Sequence, residues 1–61
     1  MSKDEAYKLI SQSYNPNDPK DVDAVVAALR KVGAQTFPEV QEGQFEVVVA
    51  EYERLKGLAN A

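Results

Sequence analysis

The chain has 61 residues and a mass of 6.7 kDa, enough for one domain and too little for a second. Seven Lys and Arg against ten Asp and Glu leave a net charge of −3, and the chain contains no His, Cys or Trp. These absences exclude disulfide staples, thiolate metal sites, thiol nucleophiles and the side chain that titrates near neutral pH.

At 44% hydrophobic and 28% charged, the composition is that of a globular domain. No stretch reads as a targeting signal. Met1–Glu5 is polar and mixed in sign, and the longest strongly apolar run, Val47–Ala50, falls far short of the roughly 20 residues a membrane span needs. The expectation is a cytoplasmic protein with no membrane partner, folded as a single helical domain over residues 1–61.

The first predicted element covers about residues 2–14. Ser2-Lys3-Asp4-Glu5 fits a capping box, with two carboxylates at the positive end of the helix dipole. Tyr7, Ile10 and Tyr14 recur at helical spacing, flanked by Ala6 and Leu9, so this face is expected to be the buried one. Pro16 ends the helix, because it disfavours the helical conformation at Asn15.

The second element covers about residues 19–32. Asp18 is a good N-cap and Pro19 suits the first helical position. Val22, Val25, Val26, Leu29 and Val32 form one face, and Ala24, Ala27 and Ala28 permit close approach of a neighbour. Arg30 and Lys31 favour the carbonyl end, and Gly33 is the expected left-handed residue beyond it.

The third element covers about residues 37–57. Thr36-Phe37-Pro38-Glu39 reads as another capping box, and Phe45, Val48, Val49, Tyr52 and Leu55 mark the apolar face. Gly43 admits two versions: one helix bent there, or a short turn followed by a separate helix. The single helix is preferred, because no Asn, Asp or Ser near Gly43 offers a new cap. A strand over Phe45–Val49 would rest on its β-branched residues, but it would lack a partner elsewhere in the chain. The fold class is therefore all-α, a small three-helix bundle.

A bundle this small has little apolar material, so burial against another surface would help it. On a continuous third helix, Val40, Val47 and Leu58 fall on a line away from the core face, seven and eleven residues apart. That line is a second contact face, three incidental surface residues, or a sign that the core wraps further round the helix. Glu39, Glu42, Glu46 and Glu53 share one side of the same helix. They make an acidic stripe that could meet a basic partner, imitate DNA phosphates or simply face solvent.

The other constellations are weaker. Oxygen-bearing residues gather from Asn15 to Asp23. A calcium loop begun at Asn15 would put Lys20 and Val26 where Gly and a carboxylate are required, and one begun at Asn17 would put Val22 and Ala28 there. No metal or cofactor is expected. Ser2, Ser11, Ser13 and Thr36 have no His to activate them, so no catalytic residue is assigned. The basic residues are scattered and the third helix is rich in Glu, which argues against nucleic-acid binding. No motif matches a known family residue by residue.

The functional expectation is a non-enzymatic protein–protein interaction module, a small regulator or inhibitor acting through its third helix. Its partner would be another protein or a second copy of itself, met by Val40, Val47 and Leu58 with Glu39, Glu42, Glu46 and Glu53 beside them. The alternatives are a structural subunit of a phage or secretion assembly, or an acidic DNA mimic.

Overall fold

Three helices form where capping chemistry and apolar period coincide. The computed structural model describes residues 1–57: α1 is Lys3–Ser11, α2 is Pro19–Lys31 and α3 is Phe45–Lys56. Two short 3₁₀ turns, Phe37–Glu39 and Glu42–Gln44, lie between α2 and α3. The described residues contain no strand, and Phe45–Val49, with its β-branched run, opens α3. This is the expected all-α three-helix architecture.

The caps follow the local sequence closely. The Ser2 hydroxyl accepts from the Glu5 amide at 3.2 Å, and the Glu5 carboxylate returns to that hydroxyl at 3.3 Å. Asp18 accepts from the Lys20 amide at 3.0 Å, with Pro19 in the first turn of α2. At its other end the Gly33 amide donates to the Arg30 carbonyl and the Ala34 amide to the Leu29 carbonyl, both at 3.0 Å. That pairing is a Schellman motif. It requires the left-handed backbone seen at Gly33, where φ is 76°.

The third segment departs from the continuous helix preferred above. Glu39 accepts from the amides of Gln35 and Thr36 at 2.9 and 3.2 Å, which closes the Phe37–Glu39 turn on itself. Val40 and Gln41 then take extended backbone, with ψ of 130° and 150°. The break therefore precedes Gly43. No side chain caps α3; the 3₁₀ turn Glu42–Gln44 leads directly into it. The physical gain is burial: with the chain extended at Val40, its side chain enters the core and is only 6% exposed.

α3 is the central element. Both α1 and α2 pack on it, α2 more extensively, while α1 and α2 scarcely touch each other. The core comprises Ala6 and Ile10 of α1, Ala24, Ala28 and Leu29 of α2, Ala34 and Val40 of the connection, and Phe45, Val48, Val49 and Tyr52 of α3. Ala24 and Ala28 form the close-approach surface read from the sequence, whereas Ala27 stays exposed. Tyr14, Val25, Val32 and Phe37 pack partly against this core.

α1 is turned differently from expectation. Its buried residues are Ala6 and Ile10, which leaves Tyr7 at one margin, 65% exposed, and Leu9 at the other, 39% exposed. The helix stops at Ser11 rather than Tyr14. Val26 and Leu55, also read as core, are exposed as well.

Candidate docking surface

The residues proposed from sequence for partner binding do not form one surface. Val40 is a core residue, because the extended backbone around it turns its side chain inward. Val47 lies on α3 and is 37% exposed, and Leu58 lies outside the described residues. The predicted apolar line is thus reduced to Val47 among the described residues.

The acidic stripe is also divided. Glu39 caps its own turn and Glu42 begins the second 3₁₀ turn, so neither belongs to α3. Glu46 accepts from the amino group of Met1 at 3.2 Å. Glu53 is half-buried on α3. These four carboxylates therefore do not share one side of one helix.

Two polar clusters tie the helices together. Asp21, 3% exposed, pairs with the Lys56 ammonium at the far end of α3. Its other oxygen accepts from the Asn15 amide at 2.8 Å, and Lys56 also donates to the Ser13 carbonyl at 3.1 Å. The Ser13 and Tyr52 hydroxyls lie 3.2 Å apart, and the Lys56 ammonium sits 5.8 Å from the centre of the Tyr52 ring. Hydrogen bonds from Lys56 and then from the Asn15 amide hold Asp21 below the usual carboxylate range, while the Asp21 carboxylate raises Lys56. With both charges paired and their remaining bonds made, this cluster joins the α1–α2 loop, α2 and α3.

In the second cluster Arg54 grips Glu51 through two hydrogen bonds of 2.9 and 2.7 Å, and Lys31 of α2 reaches the same carboxylate at 3.4 Å. The Arg54 guanidinium, helped by Lys31, pulls Glu51 down to about 2. Both clusters are satisfied internally and act as braces between elements. Among the described residues, no group of three or more Asp and Glu is placed to hold a metal ion.

One hollow in the surface is largely apolar. Because α1 and α2 both lean on α3 without closing on each other, a cleft remains between them. Tyr7, Ile10 and Tyr14 of the first segment, Val25 of α2 and Phe37 of the connection line it, enclosing about 200 Å³. On the other side of Tyr7 a second depression, of about 300 Å³, is bounded by Lys3, Asp4, Phe37 and Pro38. Tyr7 and Phe37 meet edge to face with ring centres 6.1 Å apart, and Phe37 continues to the buried Phe45 at 5.3 Å. The Tyr7 ring is thus an exposed ridge between two hollows, positioned by an aromatic stack rooted in the core.

Sequence reasoning missed this surface by placing Tyr7 inside. A signal was present: Ala6 and Ile10 lie at the centre of the apolar arc of α1, with Tyr7 on one edge and Leu9 on the other. No described helix is long and apolar enough to cross a membrane. Comparison with protein-family models, with curated proteins and with solved structures gives no match.

Proposed function

We propose that the protein is a non-enzymatic protein–protein interaction module that docks a partner in the cleft between α1 and α2. The observation that carries this reading is Tyr7: a large aromatic side chain, 65% exposed, held by Phe37 between two apolar hollows. Rigid, exposed aromatic rings beside unfilled pockets are the residues on which binding energy concentrates. Among the described residues, the cleft walls pair no nucleophile with a base. Their polar atoms are the hydroxyls of Ser11, Tyr14 and Tyr7, which suit orientation of a docked chain.

The test replaces Tyr7 by Lys and compares it with Val47→Asp on α3. Both side chains are exposed, so circular dichroism and melting should stay near wild type. Complexes captured from the native host by wild-type protein should be lost with Tyr7→Lys and kept with Val47→Asp. The reverse pattern would return the docking role to α3 and refute the cleft.

A further inference from the structure

We infer that Asp21 and Lys56 are positioning residues for the cleft: their ion pair latches the α1–α2 loop to α2 and to the end of α3, and so holds Tyr14 in place as a wall of the hollow. The inference deepens the docking role assigned to the cleft, on which its functional meaning rests, by naming what keeps one wall fixed.

Of the residues lining the cleft, Tyr14 has the least support of its own. Tyr7, Ile10 and Ser11 belong to α1 and Val25 to α2, while Phe37 is held in a 3₁₀ turn and by its contacts with Tyr7 and Phe45. Tyr14 lies three residues past the end of α1, and its backbone makes no hydrogen bond to another described residue. Its side chain is only partly buried against the core. Support comes from the residues on either side. The Ser13 carbonyl accepts from the Lys56 ammonium at 3.1 Å, and the Ser13 and Tyr52 hydroxyls lie 3.2 Å apart. The Asn15 amide donates to Asp21 at 2.8 Å. Both neighbours of Tyr14 are therefore tied to one ion pair, Asn15 through α2 and Ser13 through α3.

The other bonds of this loop do not replace that anchorage. The Ser13 amide donates to the Ile10 carbonyl at 3.2 Å, and Asn15 accepts from the amides of Asn17 and Asp18, both at 3.0 Å. These bonds close the end of α1 and the turn at Pro16 on themselves, and none of them reaches α3. The link across the fold is charge-assisted and shielded, since Asp21 is 3% exposed and the Lys56 side chain 18%. Opening the loop locally must break it, so the shape of the cleft depends on a residue at the far end of another helix.

The experiment is NMR relaxation and hydrogen exchange of the backbone amides of the full chain. In Asp21→Leu with Lys56→Met, apolar side chains replace the pair and leave no buried charge unpaired, which preserves the fold. The Tyr14 order parameter should fall from about 0.85 to below about 0.6, while Tyr7 and Val25 stay near 0.85. The Asn15 amide should exchange roughly tenfold faster or more. Asp21→Asn, which keeps the packing and removes the charge, should move both readouts the same way by less. Arg54→Gln weakens the Glu51 brace, which does not touch the loop, and should leave Tyr14 as ordered as in wild type. A Tyr14 that stays ordered in both Asp21 variants, or that loosens equally in Arg54→Gln, overturns the latch. No partner enters these measurements, so a failed latch leaves the docking role of the cleft standing. Conversely, capture indifferent to Tyr7→Lys would remove that role and leave the latch intact.

Discussion

Truncating Val40 to Ala separates the two versions of the third segment by sign. On the outside of a continuous helix, exchanging Val for Ala improves helix propensity by up to about 0.7 kcal/mol and should be neutral or stabilising. In the structure Val40 is extended and 6% exposed, so propensity contributes nothing and burial decides. Two methyl groups leave an apolar site at about 0.8 kcal/mol each. If roughly 20–40 Å³ of the space stays unfilled, the cavity adds about 0.5–1 kcal/mol. The expected loss is about 2–2.5 kcal/mol, from a total of about 3–9 kcal/mol for a domain of this length. The variant should remain folded, with a melting temperature roughly 8–20 °C lower. Thermal and urea unfolding followed by circular dichroism measures this, and Val47→Ala on exposed α3 serves as the comparison, within about 0.5 kcal/mol of wild type. A Val40→Ala protein as stable as wild type would show that the side chain is outside and that the break before Gly43 is wrong.

Three further perturbations test the frame. Gly33→Ala should destabilise by about 1 kcal/mol, because φ is 76° there, whereas Gly43→Ala should be neutral or stabilise by about 0.4–1 kcal/mol, since Gly43 needs no left-handed backbone; equal urea midpoints for the two would contradict this. Lys56→Met should lower the urea midpoint sharply by leaving the buried Asp21 carboxylate with the Asn15 amide alone, and adding Asp21→Asn should recover part of the loss; an unchanged midpoint for Lys56→Met would mean the pair is not formed. Glu51 has a folded pKa of about 2 against an ordinary 4.5, so its contribution to stability is complete above about pH 4.5 and disappears as the pH falls through about 2. NMR titration of its carboxyl carbon should follow that pKa and show it rising in Arg54→Gln; a titration near the ordinary value in wild type would exclude the ion pair.

Local chemistry was legible wherever it acted within a few residues. The Ser2 and Asp18 caps, Pro19 in the first turn and Gly33 past the last are where the sequence places them, because each needs only its neighbours to form. The competition at residues 37–45 was not legible. Its outcome depended on the Glu39 cap closing a separate turn and on the core accepting Val40, and the second of these involves elements distant in the chain. The candidate site was lost for a related reason. Periodicity identified the apolar arc of α1 without showing which part of that arc would meet α3. For Asp21, likewise, nothing nearby in the sequence announces Lys56 as its partner 35 residues further on.

By itself the sequence determined the number of helices, the N-caps of α1 and α2, the glycine stop after α2 and the exclusion of thiol and imidazole chemistry, because these follow from residue type and short-range hydrogen bonding. The tertiary structure alone decided that Val40 goes in, that Tyr7 stays out and that α1 and α2 leave a cleft between them. Those outcomes depend on how three short helices share one central neighbour, since burial is settled by what packs opposite each residue.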